Sequence, residues 1–205
     1  MGIAKSASAK KSCDEKPIFI VSGLPRSGTS MMMMMLSAGG VNLITDEDHY
    51  VNEDNPGGFF EFEKVHELIN DTSWLSQVHG KAIKVISRLV YDLPADYCYK
   101  LIFMRRNLDE VIASQKRMLI RRGRVDAYAH YCNNTKIRDF FVLHLKQVAN
   151  WLKCQSNFDV IYINYDDVVF HPLVQSKRIN CFLGGHLNIA EMASVVNIEL
   201  YRQRK

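Results

Sequence analysis

The chain has 205 residues, of which 47% are hydrophobic, 10% aromatic and 23% charged, and its formal net charge is +4. This composition supports one hydrophobic core and excludes a disordered polyelectrolyte, and the small net charge gives no indication of nucleic-acid binding. The apolar runs are far shorter than the roughly 20 residues that span a bilayer, so we expect no stable membrane insertion. We expect a flexible polar tail over residues 1–16 and a single domain over 17–205.

The five cysteines are odd in number and include no CxxC pair, which argues against a disulfide framework and against a zinc site. Because no secretory signal precedes them, we expect a reducing, cytoplasmic setting. Met1-Gly2 followed by Ser6 satisfies the short pattern for N-myristoylation, and this pattern leaves lipidation of Gly2 open.

The first regular elements predicted are a strand, a glycine-rich loop and a helix. Ile18–Val21 is a buried-strand run, and Thr29–Ala38 is a helical stretch that ends at two glycines. The five consecutive methionines at 31–35 point all round that helix, which predicts a helix buried against a sheet. Asp46–Gly58 is acidic and turn-rich, so it predicts a surface excursion, and Glu61–Asn70 follows as a predicted helix.

The rest of the chain alternates predicted strands and helices. The predicted strands are Ala82–Ile86, Tyr99–Met104 and Val160–Ile163, and the predicted helices are Leu108–Arg121, about Asp126–Lys153 and a final one at Leu173–Leu183. This alternation predicts an α/β fold with a mainly parallel sheet.

Residues 23–30, with the sequence GLPRSGTS, have the glycine spacing of a P-loop and stand between a predicted strand and a predicted helix. Glycines let backbone N–H groups converge on an anion, and the helix adds its N-terminal partial positive charge. Thr29 stands where P-loop kinases and ATPases have a lysine, and the cation is moved into the loop as Arg26. A sulfuryl group bears less charge than a phosphoryl group, so this loop favours sulfate over phosphate transfer.

The loop resembles the one with which sulfotransferases grip the 5′-phosphosulfate of 3′-phosphoadenosine 5′-phosphosulfate (PAPS). The stretch 103–114, with Arg106 and Ser114, is similar to the family's site for the 3′-phosphate, and residues 164–184 resemble its closing segment. Stretches 55–61 and 80–94 look like a compact bacterial branch of the family. The resemblance implies a three-layer P-loop-type α/β fold and PAPS as co-substrate, with no metal. The cofactor-binding residues that it implies are Arg26, Ser27, Gly28, Thr29, Ser30, Arg106 and Ser114.

The chain departs from the family at two places. The late Arg-Lys-Gly segment that closes over the 3′-phosphate is absent, and only the unaligned Arg202, Arg204 and Lys205 are available. Ile86 stands where many members have a catalytic histidine, two residues after the strand lysine, here Lys84.

A hydroxyl acceptor needs another base. Glu61 is our first candidate, because we expect the turn and the aromatics before it to desolvate its carboxylate. The other candidates are Glu63, His49, His66 and His79. Lys84 is the candidate for contact with the bridging oxygen.

Three functions therefore stay open at this point. The first is a sulfotransferase with a small-molecule or glycan acceptor, with Arg26, Glu61 and Lys84 as catalytic residues. The second is a P-loop kinase or NTPase in which Ser30 and Asp166 or Asp167 would hold Mg²⁺. The third is a nucleotide-binding protein that has lost its base. The basic residues 116–124 are interpreted as a solvated helix end, and the oligomeric state is open.

Overall fold

A computed structural model describes residues 16–46, 58–124 and 134–200. Within these ranges a five-stranded parallel sheet has the order β2-β3-β1-β4-β5. Its strands are β1 (Ile18–Gly23), β2 (Leu43–Ile44), β3 (Ala82–Lys84), β4 (Tyr99–Arg105) and β5 (Phe158–Asn164).

Helices connect these strands. The α-helices are α1 (Thr29–Ala38), α2 (Leu108–Arg121), α3 (Asn134–Leu152), α4 (Tyr165–Phe170), α5 (Pro172–Leu183) and α6 (Ile189–Ser194). Short 3₁₀ helices lie at Glu63–Glu67, Ser73–Gln77, Leu89–Asp92 and Ile198–Leu200. In the described ranges, every helix is too short or too polar to cross a membrane.

Hydrophobic clusters cover both faces of the sheet. On one face, Met32, Met33 and Met35 of α1 are fully buried in a cluster that α5 and α6 complete. On the other face, α3 buries Val148 and Leu152 against strand residues that include Phe103. The predicted three-layer α/β fold with a parallel sheet is confirmed, and so is the burial of the methionine helix.

The sequence placed several elements correctly and others wrongly. The bounds predicted for α1 and α2 are those observed, and β4 differs by one residue. The helix predicted over Glu61–Asn70 is wrong, because only the 3₁₀ helix Glu63–Glu67 and a turn form there. The strand predicted to reach Ile86 ends at Lys84, and Leu173–Leu183 is not the final helix, since α6 follows it.

Cys98 corrects another expectation. It is disulfide-bonded, whereas Cys154 and Cys181 are free and exposed. The argument against disulfides is therefore wrong at Cys98. Because disulfides persist in oxidising environments, the argument for a reducing compartment is weaker than the sequence suggested.

The topology fixes where a ligand can bind. β1 lies between β3 and β4: the chain forms β2 and β3 on one side of β1 and then crosses to form β4 and β5 on the other, so the direction of the connections reverses at β1. In parallel sheets such a reversal opens a crevice at the carboxyl ends of the strands. The glycine-rich loop follows β1 directly, so it lies at that crevice.

Candidate active site

Two glycines allow the loop between β1 and α1 to fold tightly. Gly28 has a φ of 98°, and a Cβ there would lie 2.5 Å from the Tyr165 ring. Gly23 has a φ of 150°, and a Cβ there would lie 2.7 Å from the Met104 carbonyl oxygen. Both positions therefore require glycine, because a side chain would meet strain and a close neighbour at once.

Arg26 is one of two non-glycine residues in the described ranges with a positive φ, which is 74°. Its Nε donates to Ser114 Oγ at 3.0 Å, and Gln115 Nε2 donates to the carbonyl of Pro25 at 2.9 Å. Two adjacent residues of α2 thus fix the loop conformation. Such a strained, fixed cation is what a preorganised anion site requires.

Arg106 is buried beside this loop, with a side chain 8% exposed. Its Nε donates to Glu110 Oε2 at 2.9 Å, and its Nη1 donates to the Arg26 carbonyl at 3.2 Å. The guanidinium lies 4.1 Å from the centre of the Tyr165 ring, a cation–π distance. Burial is the main cause that raises the pKa of Tyr165, so its phenol stays protonated at neutral pH.

The predicted cofactor residues come together at this edge of the sheet. Ser27 is 1% exposed, and its hydroxyl has no hydrogen-bond partner within the described part of the chain. Thr29 and Ser30 begin α1, so the backbone N–H groups of its first turn point to this edge. Arg106 and Ser114 both approach the loop, but Ser114 pairs with Arg26 and not with Arg106.

Lys84 forms the second part of the site. Its side chain is 7% exposed, and Nζ donates to the carbonyl oxygen of Phe59, which also accepts a 3.4 Å hydrogen bond from Ser30 Oγ. Glu61 Oε1 lies 3.4 Å from Lys84 Nζ. The structure therefore brings Lys84 and Glu61 to the start of α1, at the same edge as the loop.

Burial lowers the pKa of Lys84, and the neighbouring Arg26 adds to this, while Glu61 opposes it. The expected desolvation of Glu61 is wrong, because its side chain is 60% exposed. The carboxylate lies in the irregular segment before the 3₁₀ helix at Glu63–Glu67, so it does not begin a helix either.

The other base candidates lie less favourably. His79 bonds the carbonyl of Lys16, just before β1, which puts it at the opposite edge of the sheet. Glu63 and His66 are exposed on the 3₁₀ helix. His49 lies outside the described residues, as do Arg202, Arg204 and Lys205, the late cations considered for closure.

Sequence reasoning assigned no role to three residues of this site. They are Tyr165, Glu110 and Gln115. The spacing from Arg106 to Glu110 is one helical turn, which is a readable signal for an ion pair. No local pattern indicates the other two contacts, because each joins segments far apart in the chain.

No family model and no curated protein matches this chain. Solved structures do match. A mouse sulfotransferase, SULT7A1, crystallised with PAP, is 18% identical, with a TM-score of 0.54 over 94% of this chain and 68% of that one. The fold is that of the sulfotransferases. The sulfotransferase domain from the curacin biosynthetic pathway is 16% identical, with a TM-score of 0.54 over 89% of this chain and 78% of that one.

The sulfotransferase fold accounts for the placement of the loop after the central strand. At these identities the likeness shows the fold alone, so the chemistry has to be argued from the residues of this chain. The buried pair Arg106 and Glu110, the fixed Arg26 and the buried Lys84 are the groups from which that argument starts.

Proposed function

We propose that this chain is a sulfotransferase that moves a sulfuryl group from PAPS to a hydroxyl or amine of a small-molecule or glycan acceptor. The observation that carries the proposal is the strained Arg26 in the loop, fixed by Ser114 beside the buried Arg106. A cation in the loop, with Thr29 at the place of the kinase lysine, suits a transferring group that needs no metal.

The residues present fit PAPS at both of its phosphate ends. The loop from Gly23 to Ser30 offers backbone N–H groups, and the buried hydroxyl of Ser27 is polar without a protein partner in the described ranges. Arg106 and Ser114 lie at the α2 side of the loop, where they would hold the 3′-phosphate. When bound there, PAPS supplies an activated sulfuryl group.

The chain's own residues then have separate tasks. Arg26 stabilises the negative charge that grows on the leaving phosphate. Lys84, whose lowered pKa makes it the readier proton donor, contacts the bridging oxygen at the same site. Glu61 accepts the proton of the acceptor, and its exposure leaves it accessible to an acceptor that arrives from solvent.

Geometry disfavours the kinase or NTPase alternative. Asp166 and Asp167 begin α4, directly after β5, and β4 separates β5 from the loop strand β1. Asp167 Oδ2 also accepts a 2.9 Å hydrogen bond from Asn164, at the outer edge of the sheet. The Ser30 hydroxyl turns to the Phe59 carbonyl, so the expected pair of Mg²⁺ ligands is not assembled.

The activity is tested by labelled group transfer. Radiolabelled PAPS and γ-labelled Mg²⁺-ATP are each incubated with the protein and with phenols, alcohols, aryl amines and saccharides. We expect label from PAPS on at least one acceptor, lost in Arg26→Ala. Label from ATP and none from PAPS would make the protein a kinase. The cytoplasmic location stays a prediction, and fractionation of cells tests it.

A further inference from the structure

A cavity of about 310 Å³ lies behind the loop, between the sheet and the helices α2 and α3. Its apolar walls include Leu24, Phe103, Val111, Leu145, Ala149 and Tyr162. This volume is at the lower end of the range for small-molecule sites, and mainly apolar walls with a few polar groups are typical of them.

The cavity is separate from the candidate transfer site. Lys84 lies on the α1 side of the sheet, since it alternates with Ile83, which belongs to the cluster on the α3 face. Phe103 belongs to that α3-face cluster too, and Tyr162 packs against it. Of the predicted cofactor-binding residues, Ser27 and Arg106 are the two that also line the cavity.

Three cations line this cavity, and none of the described lining residues carries a carboxylate. Arg105 is exposed, and its guanidinium lies 3.8 Å from the centre of the Tyr162 ring. Lys146 is exposed on α3, and Arg106 is already paired with Glu110. Arg105 and Lys146 therefore give the opening a positive charge that no carboxylate balances among the lining residues in the described ranges.

The inner end of the cavity holds a polar group as well. Ser27 is 1% exposed, and its buried hydroxyl has no hydrogen-bond partner among the described residues. A buried hydroxyl without a partner costs stability, so its presence in a cavity wall is itself an indication of a ligand atom or of water.

We propose that this cavity binds a small amphipathic carboxylate, with an aryl or short alkyl body between Leu24 and the wall of α3 and its acid group at Arg105 and Lys146. The apolar walls suit an aryl or alkyl body, and the charge of the opening selects an anion over a neutral molecule. Because Leu24 and Ser27 belong to the loop, such a ligand contacts the loop from the side opposite to the transfer site.

The test uses 3-phenylpropionate and its neutral amide, titrated by calorimetry into the full chain. We expect the carboxylate to bind roughly tenfold more tightly than the amide, the ratio for one charge-assisted hydrogen bond of about 1.4 kcal/mol. Lys146→Met is expected to remove most of that preference. Lys153→Met, just beyond the end of the same helix, is the control and is expected to keep it.

A filling variant tests the cavity itself. Ala149→Phe puts a ring into the space and is expected to abolish binding of the carboxylate and the amide. If Ala149→Phe folds and still binds as the unchanged protein does, or if Lys146→Met and Lys153→Met behave alike, the proposal is wrong.

Competition separates this proposal from the proposed function. Adenosine 3′,5′-bisphosphate (PAP) is held at a series of concentrations, up to well above its own Kd, while the carboxylate is titrated. If the apparent Kd of the carboxylate reaches a plateau as the PAP concentration rises, the two ligands occupy separate sites. An apparent Kd that rises in proportion to PAP overturns the second site and leaves the sulfotransferase proposal intact. Carboxylate binding without any PAP binding supports the cavity proposal and overturns the sulfotransferase proposal.

Discussion

Arg106 and Lys84 are both buried cations at the carboxyl edge of the sheet, but their environments differ. Arg106 faces Glu110, whose side chain is 5% exposed, and both groups have further partners. Lys84 faces Glu61, whose side chain is 60% exposed, and burial lowers the pKa of Lys84. Arg106 is therefore held in a buried ion pair, whereas Lys84 is a buried lysine whose carboxylate partner is largely in solvent. The first arrangement suits binding and the second suits proton transfer.

The largest effect is expected for Glu61→Gln, which tests the pair of Lys84 and Glu61. The variant keeps the shape of the side chain and removes its basicity. If Glu61 is the base, turnover of a hydroxyl acceptor is expected to fall by about 10²–10⁴-fold with PAP affinity unchanged. Steady-state kinetics and calorimetry measure the two quantities. Glu63→Gln is the matched control, since this exposed carboxylate lies outside the pair. Equal rates in both variants would remove Glu61 from the mechanism.

Arg26→Ala tests the loop on the Arg106 side. Alanine keeps the strain at φ 74° and removes the guanidinium and its bond to Ser114. We expect turnover to fall by about 10²–10³-fold, as when one preorganised donor is removed. Arg138→Ala, an exposed arginine of α3, is the control. Normal turnover with weaker PAP binding would assign Arg26 to binding alone.

Gly28→Ala and Gly40→Ala separate strain from crowding. Both glycines have nearly the same φ, 98° and 96°, but a Cβ at Gly40 meets nothing within 4 Å, whereas at Gly28 it meets the Tyr165 ring. Gly40→Ala is expected to cost about 1–2 kcal/mol of unfolding free energy from strain, and Gly28→Ala about 1–3 kcal/mol more. Denaturant titration measures both. Equal losses would mean that Tyr165 does not hold the loop.

The smallest effect concerns His144 of α3, whose Nε2 lies 2.9 Å from Ser87 Oγ. Burial lowers the pKa of His144 below its ordinary value of 6.5. The unfolded chain then binds the proton more readily, so the native protein loses stability as the pH falls below about 6.5. His144→Gln is expected to lose less stability than the unchanged protein over that window. Parallel pH curves would contradict this.

The sequence predicts the elements whose signals are local. Residues close in sequence mark where these elements begin and end. Examples are the apolar run of β1, the glycines at 23 and 28, and the polar Asn107 before α2. The loop motif and the spacing from Arg106 to Ser114 therefore select residues that lie together at the carboxyl edge of the sheet, and their roles stay a prediction. The helical bounds of α1 and α2 follow from the same kind of signal.

Contacts between distant segments were not predictable. β2 has two residues and exists through its pairing with β3, and no periodicity can indicate so short a strand. The bond from Arg26 to Ser114 joins residues 88 positions apart, and the bond from Lys84 to Phe59 depends on the path of an irregular segment. Exposure of Glu61 depends on that path too, which is why its desolvation was expected and is not found.

The affinity for adenosine nucleotides tests the central claim most directly. Arg106 and Ser114 offer a charge-assisted site for a 3′-phosphate, so we expect PAP to bind more tightly than AMP, without Mg²⁺, by about 1.5–3 kcal/mol. Arg106→Ala is expected to remove most of that preference, and Arg138→Ala to keep it. Equal affinities for PAP and AMP in the unchanged protein, or tighter binding of Mg²⁺-ATP than of PAP, would contradict the assignment of this site to PAPS.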